Sequence, residues 1–367
     1  MTEAEIGIIG GGAVGLAIAY ELSKKYNNIV LFEKEPRVGE GTSSRNSGVI
    51  HSGIYYSQGS LKARLCVEGN KLLYEFADDF KIPYQKFGKV IVATNDAEVT
   101  VIEEIKSRGE SNGAKLHWLD NKELHKREPN VNGVSALYSP NTGIISAPDL
   151  INCLRLLFQQ NGGMVLTNTQ VTSISQVRDS FEIHTNTRGS LEVRVVVNSA
   201  GLYADEIERM LGYYEHTIYP CRGEYFELTS SKSSVVNGLV YPVKIKGNPG
   251  LGIHFTKNIA GNILLGPNAV YIERKDDYTS GRESVESFLE SARKLVPSIE
   301  IQDLRESYSG IRPKLTRLGE PDCDFVIVSN KPFPNVIHLL GIESPGLTAA
   351  PAIGRYVKKM VDDVFRV

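Results

Sequence analysis

The sequence predicts an α/β fold in two interleaved parts: a parallel strand–helix domain and a discontinuous α+β domain built on a mostly antiparallel sheet. Three observations predict it. A strand, a glycine-rich turn, a helix and a second strand open the chain. The stretch from about Tyr214 to Ala269 alternates short strands with Gly, Pro and Asn turns, and the tail returns to apolar strands and a last helix. With 367 residues, 41% of them hydrophobic, the chain has length for two domains or for one domain with a large insertion.

The opening unit is the most informative. Ile6–Ile9 is a short apolar run, Leu16–Lys25 has helical periodicity, and Ile29–Glu33 reads as the next strand. Between the first two lies Gly10-x-Gly12-x-x-Gly15, which also includes Ala13 and Val14. Gly10 permits the tight turn, Gly12 lets a backbone approach a diphosphate, and Gly15 allows close helix–strand packing. The helix start offers unpaired N–H groups and partial positive charge. Glu33 ends the following strand, where an acidic residue can accept hydrogen bonds from both hydroxyls of a ribose. Lys34 follows it with no arginine placed for a 2'-phosphate, which argues against NADP. This is a Rossmann-like dinucleotide site.

Two later features point to FAD rather than NAD. Asn198-Ser199-Ala200-Gly201 ends a strand in small residues, so a backbone can pass close to a cofactor there. Gly341 to Thr348 follows the final strand and opens the last helix, a second anion-friendly helix start. FAD is long and needs contacts from several parts of the chain.

Between these features, residues Val38 to Tyr56 form a long loop rich in Gly, Ser and Thr, and such loops are usually functional. Helices are expected over Leu61–Phe80, Ala97–Asn112, Glu123–Glu128, Asp149–Gln160, Ser284–Leu295 and Thr348–Val361. Strands are expected within Tyr84–Ala93, around Val165, and over Val171–Ile174, Phe181–Thr185, Val193–Asn198, Phe325–Val328 and Val336–Leu340. The expected layout gives residues 1–80, 145–213 and 310–367 to FAD binding and residues 81–144 and 214–309 to substrate binding.

Composition narrows the partners. A formal net charge of -2 gives no field for nucleic acid or anionic lipid, so anion recognition must be local. No stretch approaches the roughly 18 apolar residues of a membrane span. The acidic opening Met1-Thr2-Glu3-Ala4-Glu5 is unlike a signal peptide. Cys66, Cys153, Cys221 and Cys323 lie far apart, which suits reduced thiols and the cytoplasm. Composition leaves peripheral contact at a membrane open. No metal spacing and no GxSxG elbow is present.

The segments Thr42-Ser43-Ser44-Arg45-Asn46-Ser47-Gly48-Val49-Ile50-His51-Ser52-Gly53-Ile54-Tyr55-Tyr56 and Ser60 to Cys66 resemble the L-2-hydroxyglutarate oxidase/dehydrogenase family, within the glycine-oxidase and D-amino-acid-oxidase-like flavoproteins. Arg222 to Phe226, Tyr241-Pro242-Val243, Gly252 to Thr256 and Leu265 to Ala269 extend the resemblance along nearly the whole chain. It departs after Asn268-Ala269, where this chain is shorter. It departs again at Gly341 to Thr348, where the family has a run near NAPSPAATS, and at Gly310 to Pro313, where it has a Val-Arg-Ala run. Fold and cofactor therefore carry over better than substrate. Some flavoproteins of this wider group attach the flavin to cysteine; none of the four cysteines here matches that position, so non-covalent FAD is expected, with Cys323 the one worth testing for a linkage.

Oxidising a 2-hydroxy acid needs a carboxylate clamp, a base for the hydroxyl proton and an aimed C–H bond. Arg312, expected in a Gly-Ile-Arg-Pro turn, is the first choice of clamp, since the resemblance implies an arginine of this region grips the carboxylate in related amine oxidases. A surface ion pair is its plainer reading. His51 and His254 are rival bases, each with the plainer reading of a packed or flavin-positioning histidine. His254 is expected mid-strand in Leu251–Thr256, sharing a face with Gly252 and Thr256. Arg222 is either a second cation for a dicarboxylate or a brace for Glu224. Tyr56 and Tyr241 are candidate hydrogen-bond donors to substrate. Expected cofactor contacts are Gly10, Gly12, Ala13, Val14 and Gly15 of the turn, Glu33, Lys34, Thr42 to Gly48, Val171, Ala200, Gly201, Arg312, Gly341, Ser344, Gly346, Leu347 and Thr348.

These features point to an FAD enzyme oxidising a small L-2-hydroxy acid, with L-2-hydroxyglutarate foremost. Alternatives are an amine or amino-acid oxidase or dehydrogenase, a glycerol-3-phosphate dehydrogenase-like enzyme, and a flavin-binding protein without turnover. Oxygen, a quinone or a protein would accept the electrons.

Overall fold

The structure is a computed structural model that describes residues 3–244, 250–329 and 333–366; Met1 and Thr2 of the acidic opening lie outside them. Two large sheets and one small one organise the chain.

The first sheet has eight strands. Glu3–Ile9 lies at its centre, parallel to Ile29–Phe32 on one side and to Gly189–Asn198 on the other. Val336–Leu340 continues the parallel set beside Gly189–Asn198, and Met164–Leu166 does so beside Ile29–Phe32. Hence the carboxyl ends Ile9, Phe32 and Asn198 are aligned in register. Open parallel sheets bind ligands at that edge. Val171–Val177 and Ser180–Thr185 add antiparallel strands at one side, and Val326–Ser329 adds another against Val336–Leu340.

Helices bury one face of this sheet. Ala13–Ser23 brings Leu16, Ile18 and Leu22 against Ile6 and Ile8, together with Ile353 and Val357 of Gly346–Val364. A Cβ at Gly354 would stand 2.8 Å from the Ala17 carbonyl, so glycine sets how closely these two helices cross. Leu61–Asp79 packs as tightly on the last helix: a Cβ at Gly69 would stand 2.3 Å from the Thr348 carbonyl. Its start is fixed twice. Ser60 accepts from Ala63 N–H at 3.1 Å, and Asp324 accepts from the N–H groups of Leu61 and Lys62 at 2.6 and 2.8 Å.

The second sheet has nine strands, in the order Val270–Tyr271, Tyr219–Leu228, Ile263–Gly266, His254–Lys257, Leu239–Pro242, Lys89–Ala93, Ser135–Ser139 and His117–Asp120, with Leu304–Lys314 also paired to Tyr219–Leu228. Its pairings are antiparallel except Leu239–Pro242 against Lys89–Ala93, which is parallel because the chain returns to it from the far side. The third sheet is small: Val49–Ile50, Gly143–Ile145 and Tyr84–Gln85.

Three expectations need correction. Gly310 to Pro313 is no turn but part of the eleven-residue strand Leu304–Lys314, which runs through position 310. Pro313 is tolerated there although proline donates no ladder hydrogen bond. The strand holding His254 begins at that residue; Gly252 precedes it with φ of 79° and shares no strand face with it. Finally, the loop Val38 to Tyr56 is ordered by a 3-10 turn at Thr42–Ser44 and the short strand Val49–Ile50.

Candidate active site

A single cavity of about 980 Å³ runs from the carboxyl edge of the first sheet to the face of the second. At the first end the strand Glu3–Ile9 ends and the chain reverses. Gly10 has φ of 103°, and a Cβ there would sit 2.6 Å from the Ser199 carbonyl, so only glycine suits it. A Cβ at Gly15 would be 2.0 Å from the Gly10 carbonyl, which is the close packing expected of the third glycine. The helix behind it has Gly12 at its N-cap, which offers no side chain of its own to the helix end. Ser43 Oγ accepts from the N–H of Ala13 at 2.9 Å, so the 42–48 loop closes over the turn.

Glu33 is buried beside this turn. Its carboxylate accepts from Gly11 N–H and Glu35 N–H, both at 2.8 Å, and burial pushes its pKa above the ordinary value despite these bonds. The Nζ of Lys34 lies 3.6 Å from the centre of the Tyr203 ring, with both residues in the cavity lining.

The 42–48 loop forms the middle of the cavity. Asn46 Nδ2 donates to the Ser43 carbonyl at 2.6 Å, and Asn46 Oδ1 accepts from Gly48 N–H at 2.8 Å. Gly48 has φ of 70° and lies against the Ile145 carbonyl. Thr42 and Tyr308 tie the loop to the second sheet: Thr42 Oγ1 donates to the Ile311 carbonyl at 3.0 Å and Tyr308 donates to the Asn46 carbonyl at 2.8 Å. Arg45 lies 4.1 Å from the Tyr278 ring centre.

At the second end stand His51, Tyr56, Tyr241, His254 and Arg312, all lining the cavity. His51 Nε2 is 3.2 Å from Ser344 Oγ, and its backbone N–H donates to Thr348 Oγ1 at 2.9 Å. The imidazole of His254 stacks on Tyr241 with centroids 3.7 Å apart. Its Nδ1 lies 2.7 Å from the Gly252 carbonyl, which can only accept, so Nδ1 carries the hydrogen and Nε2 is left with its lone pair. Both imidazoles are pushed down to about 3, by burial first. The Lys89 charge adds to this in each case, with the neighbouring His254 also acting on His51 and Arg312 also on His254. Two neutral histidines thus sit together in one space.

Of the expected site residues, Gly10, Gly12, Ala13, Val14, Gly15, Glu33, Lys34, Thr42 to Gly48, Val171, Ala200, Gly201, Ser344, Gly346 and Leu347 line the same cavity. Three do not. Arg222 is 0% exposed, with Nη2 2.8 Å from Glu224 Oε1 and Nη1 3.6 Å from Asp277 Oδ1. Strand alternation turns it away from the cavity, so it braces Glu224, and the substrate contact expected of it is corrected. Thr348 lies beneath the wall and holds the His51 backbone, while Gly341 makes the turn before it with φ of 66°.

Pattern reading missed several cavity residues. Lys62 and Lys314 share Glu343 Oε1 at 3.0 and 3.3 Å, and Asp322 pairs with Lys314 at 2.9 Å and Lys244 at 3.0 Å. All five line the cavity. No spacing signal links them, since they come from five separate segments. Strand alternation would have found one: Lys314 stands two residues after Arg312 and hence on its face. Among the described residues, no cluster of His, Cys, Asp or Glu is arranged to hold a metal, and no helix is long and apolar enough to cross a membrane.

A family model described as "FAD dependent oxidoreductase" matches residues 5–360. The chain belongs to this family. As an FAD-dependent oxidoreductase it has FAD as its cofactor, and its fold is that of solved members. It is similar to L-2-hydroxyglutarate dehydrogenase of Escherichia coli (strain K12), at 32% identity over 391 residues covering 96% of this chain and 92% of that protein. It is 35% identical over 397 residues to mitochondrial L-2-hydroxyglutarate dehydrogenase of Arabidopsis thaliana, covering 95% and 82%. Among solved structures, L-alpha-glycerophosphate oxidase from Mycoplasma pneumoniae with FAD bound superposes with a TM-score of 0.90 at 32% identity, over 99% of this chain and 95% of that one. The cradle fits the cofactor: the glycine turn has no room for a Cβ at Gly10 or Gly15, and the N-cap of the helix it feeds is Gly12, which has no side chain to lie between that helix end and a diphosphate.

Proposed function

We propose that this flavoenzyme oxidises a small L-2-hydroxy acid to the 2-oxo acid, with L-2-hydroxyglutarate the leading substrate. The observation that carries the reading is one cavity joining the glycine turn to a wall of two neutral histidines and Arg312. The named relatives support the substrate.

In this reading Gly10, Gly12 and the helix start at Ala13 hold the diphosphate, Glu33 the ribose, and the 42–48 loop with Ser344 to Leu347 the flavin ring. FAD supplies a two-electron acceptor when bound. Arg312 clamps the substrate carboxylate through its guanidinium. The hydroxyl proton passes to Nε2 of an imidazole. His254 is the better fixed of the two, held by the Tyr241 stack and the Gly252 carbonyl, while His51 shares its Nε2 with Ser344. Tyr56 and Tyr241 orient the substrate from the same wall. Residues 1–80, 145–213 and 310–367 serve FAD and 81–144 and 214–309 the substrate, with Leu304–Lys314 shared across the last boundary. The setting is the cytoplasm, with oxygen, a quinone or a protein taking the electrons.

One observation favours a second reading, oxidation of glycerol 3-phosphate. Lys62, Lys244 and Lys314 line the cavity as a cation cluster that phosphate recognition would use, although Asp322 and Glu343 already pair with them. Anaerobic mixing of the yellow holoenzyme with acids decides between them, because flavin colour near about 450 nm reports its redox state. Bleaching by L-2-hydroxyglutarate and not by its D-enantiomer is expected. Bleaching by glycerol 3-phosphate or glycine alone overturns the first reading.

A further inference from the structure

Lys89 opens the strand Lys89–Ala93 and is 1% exposed. Among the described residues no carboxylate lies within ion-pair distance of it. Instead its Nζ sits 4.7 Å from the centre of the Tyr55 ring and 4.6 Å from that of Tyr241. Both rings line the cavity, so the ammonium group stands directly behind the wall. An ammonium taken out of water without a carboxylate is strongly unfavourable, and aromatic faces return only part of that. A hydrophobic residue of similar length would pack there at lower cost unless the charge has a use.

The position indicates the use. Tyr241, pressed by Lys89 on one side, is the ring on which His254 stacks. Groups facing Lys89 are Cys66 from the helix Leu61–Asp79, Tyr55 from the loop after His51, and Tyr241 from the adjacent strand; its charge also reaches His51 and His254, and Arg312 acts on His254 as well. None of these is a carboxylate that would cancel it.

We propose that Lys89 is a positioning residue of this site: from behind the Tyr55–Tyr241 wall its ammonium group braces the Tyr241–His254 stack and holds off a second positive charge on His254 and His51. Its charge thereby adds to the burial that keeps both imidazoles in the form that accepts a proton. The inference rests on the reading of these histidines as candidate bases. Burial lowers the pKa of Lys89 itself to about 7, still well above the range in which the two histidines protonate, so its charge is present when it matters.

Histidine ring NMR on the FAD-loaded enzyme, without substrate, tests this in Lys89→Met and Lys89→Arg. In Lys89→Met the titrations of His51 and His254 move upward by roughly one pH unit, as removing a nearby charge requires. Lys89→Arg restores the wild-type behaviour. A Lys89→Met enzyme that retains FAD and its unfolding midpoint yet titrates like wild type overturns the proposal. Should that variant fail to fold, Lys89→Gln takes its place: histidines that titrate as in the wild type once the charge is gone overturn the proposal equally. If the ring titrations shift while the acid limb of kcat/KM does not, the charge effect stands, and the assignment of the histidines as proton acceptors falls instead.

Discussion

Both terminal nitrogens of Arg312 converge on the carbonyl oxygen of Asn268, each at 3.2 Å. Asn268 is held in turn by Glu224, which accepts from its Nδ2 at 2.7 Å and donates its own N–H to Oδ1 at 2.7 Å. Arg222 then fixes Glu224 at 2.8 Å. The two arginines therefore occupy opposite ends of one chain of hydrogen bonds, one facing the cavity and one wholly buried. Their substitution is expected to separate binding from stability.

Arg312→Lys loses the planar fork and keeps the charge. A charge-assisted bond contributes about 1.5–3 kcal/mol, so KM for the acid should rise roughly ten- to a hundredfold. Steady-state kinetics on the acid that bleaches the flavin reads this directly. An unchanged KM removes Arg312 from the clamp.

Arg222→Met should leave Glu224 buried without its cation, a loss of roughly 3–5 kcal/mol. Urea unfolding of the holoenzyme should show it as a lower midpoint at constant slope. If stability were unchanged and KM rose instead, Arg222 would contact substrate after all.

His254→Ala and His51→Ala distinguish the base. The variant lacking it should reduce its flavin about 100-fold more slowly or worse, the usual scale of a lost general base. Stopped-flow measurement under nitrogen separates this step from reoxidation. Normal rates in both variants refute the assignment.

The cofactor end of this site was legible in the sequence because its chemistry is local. Gly10, Gly12, Gly15 and Glu33 lie within one strand–helix–strand unit, where spacing alone sets geometry. The substrate end was legible residue by residue but not in its arrangement. Arg312 read as part of a turn because Gly310 and Pro313 flank it, yet pairing with Tyr219–Leu228 overrides both preferences. Arg222 and Arg312 look equivalent in sequence, and only strand register turns one inward and the other toward the cavity. Lys89 carried no signal, because a lysine opening an apolar strand normally reaches solvent. Its burial follows from the parallel pairing with Leu239–Pro242, a contact between distant segments.

At the cofactor end, Gly15→Ala should be the severest single change, since its methyl would stand 2.0 Å from the Gly10 carbonyl and 2.7 Å from Ser199 Oγ. Backbone cannot yield there as a flexible side chain would. The purified variant is expected to be colourless or to lose FAD on gel filtration, read as the ratio of flavin to protein absorbance. Full flavin content would mean that the turn does not cradle the diphosphate.

Acid should weaken the fold in two separate windows. His51 and His254 are held down to about 3 and His338 to about 4, against an ordinary 6.5, each chiefly by burial. The unfolded chain thus binds protons below about 6.5 that the folded chain refuses. Their contribution is whole above that pH and is lost progressively as pH falls toward 3–4. Asp322 behaves differently: Lys314 and Lys244 hold it down to about 2 against an ordinary 3.8, so its contribution survives to about pH 4 and fades below. Urea midpoints of the holoenzyme should therefore drop between pH 6.5 and 4.5, before any carboxylate of this kind titrates. Replacing both cavity histidines, as His51→Asn with His254→Asn, should make that upper window markedly shallower, leaving the share of His338, and leave the lower one unchanged. An equally steep fall above pH 4.5 in the double variant would show that the two imidazoles are not held neutral in the folded protein.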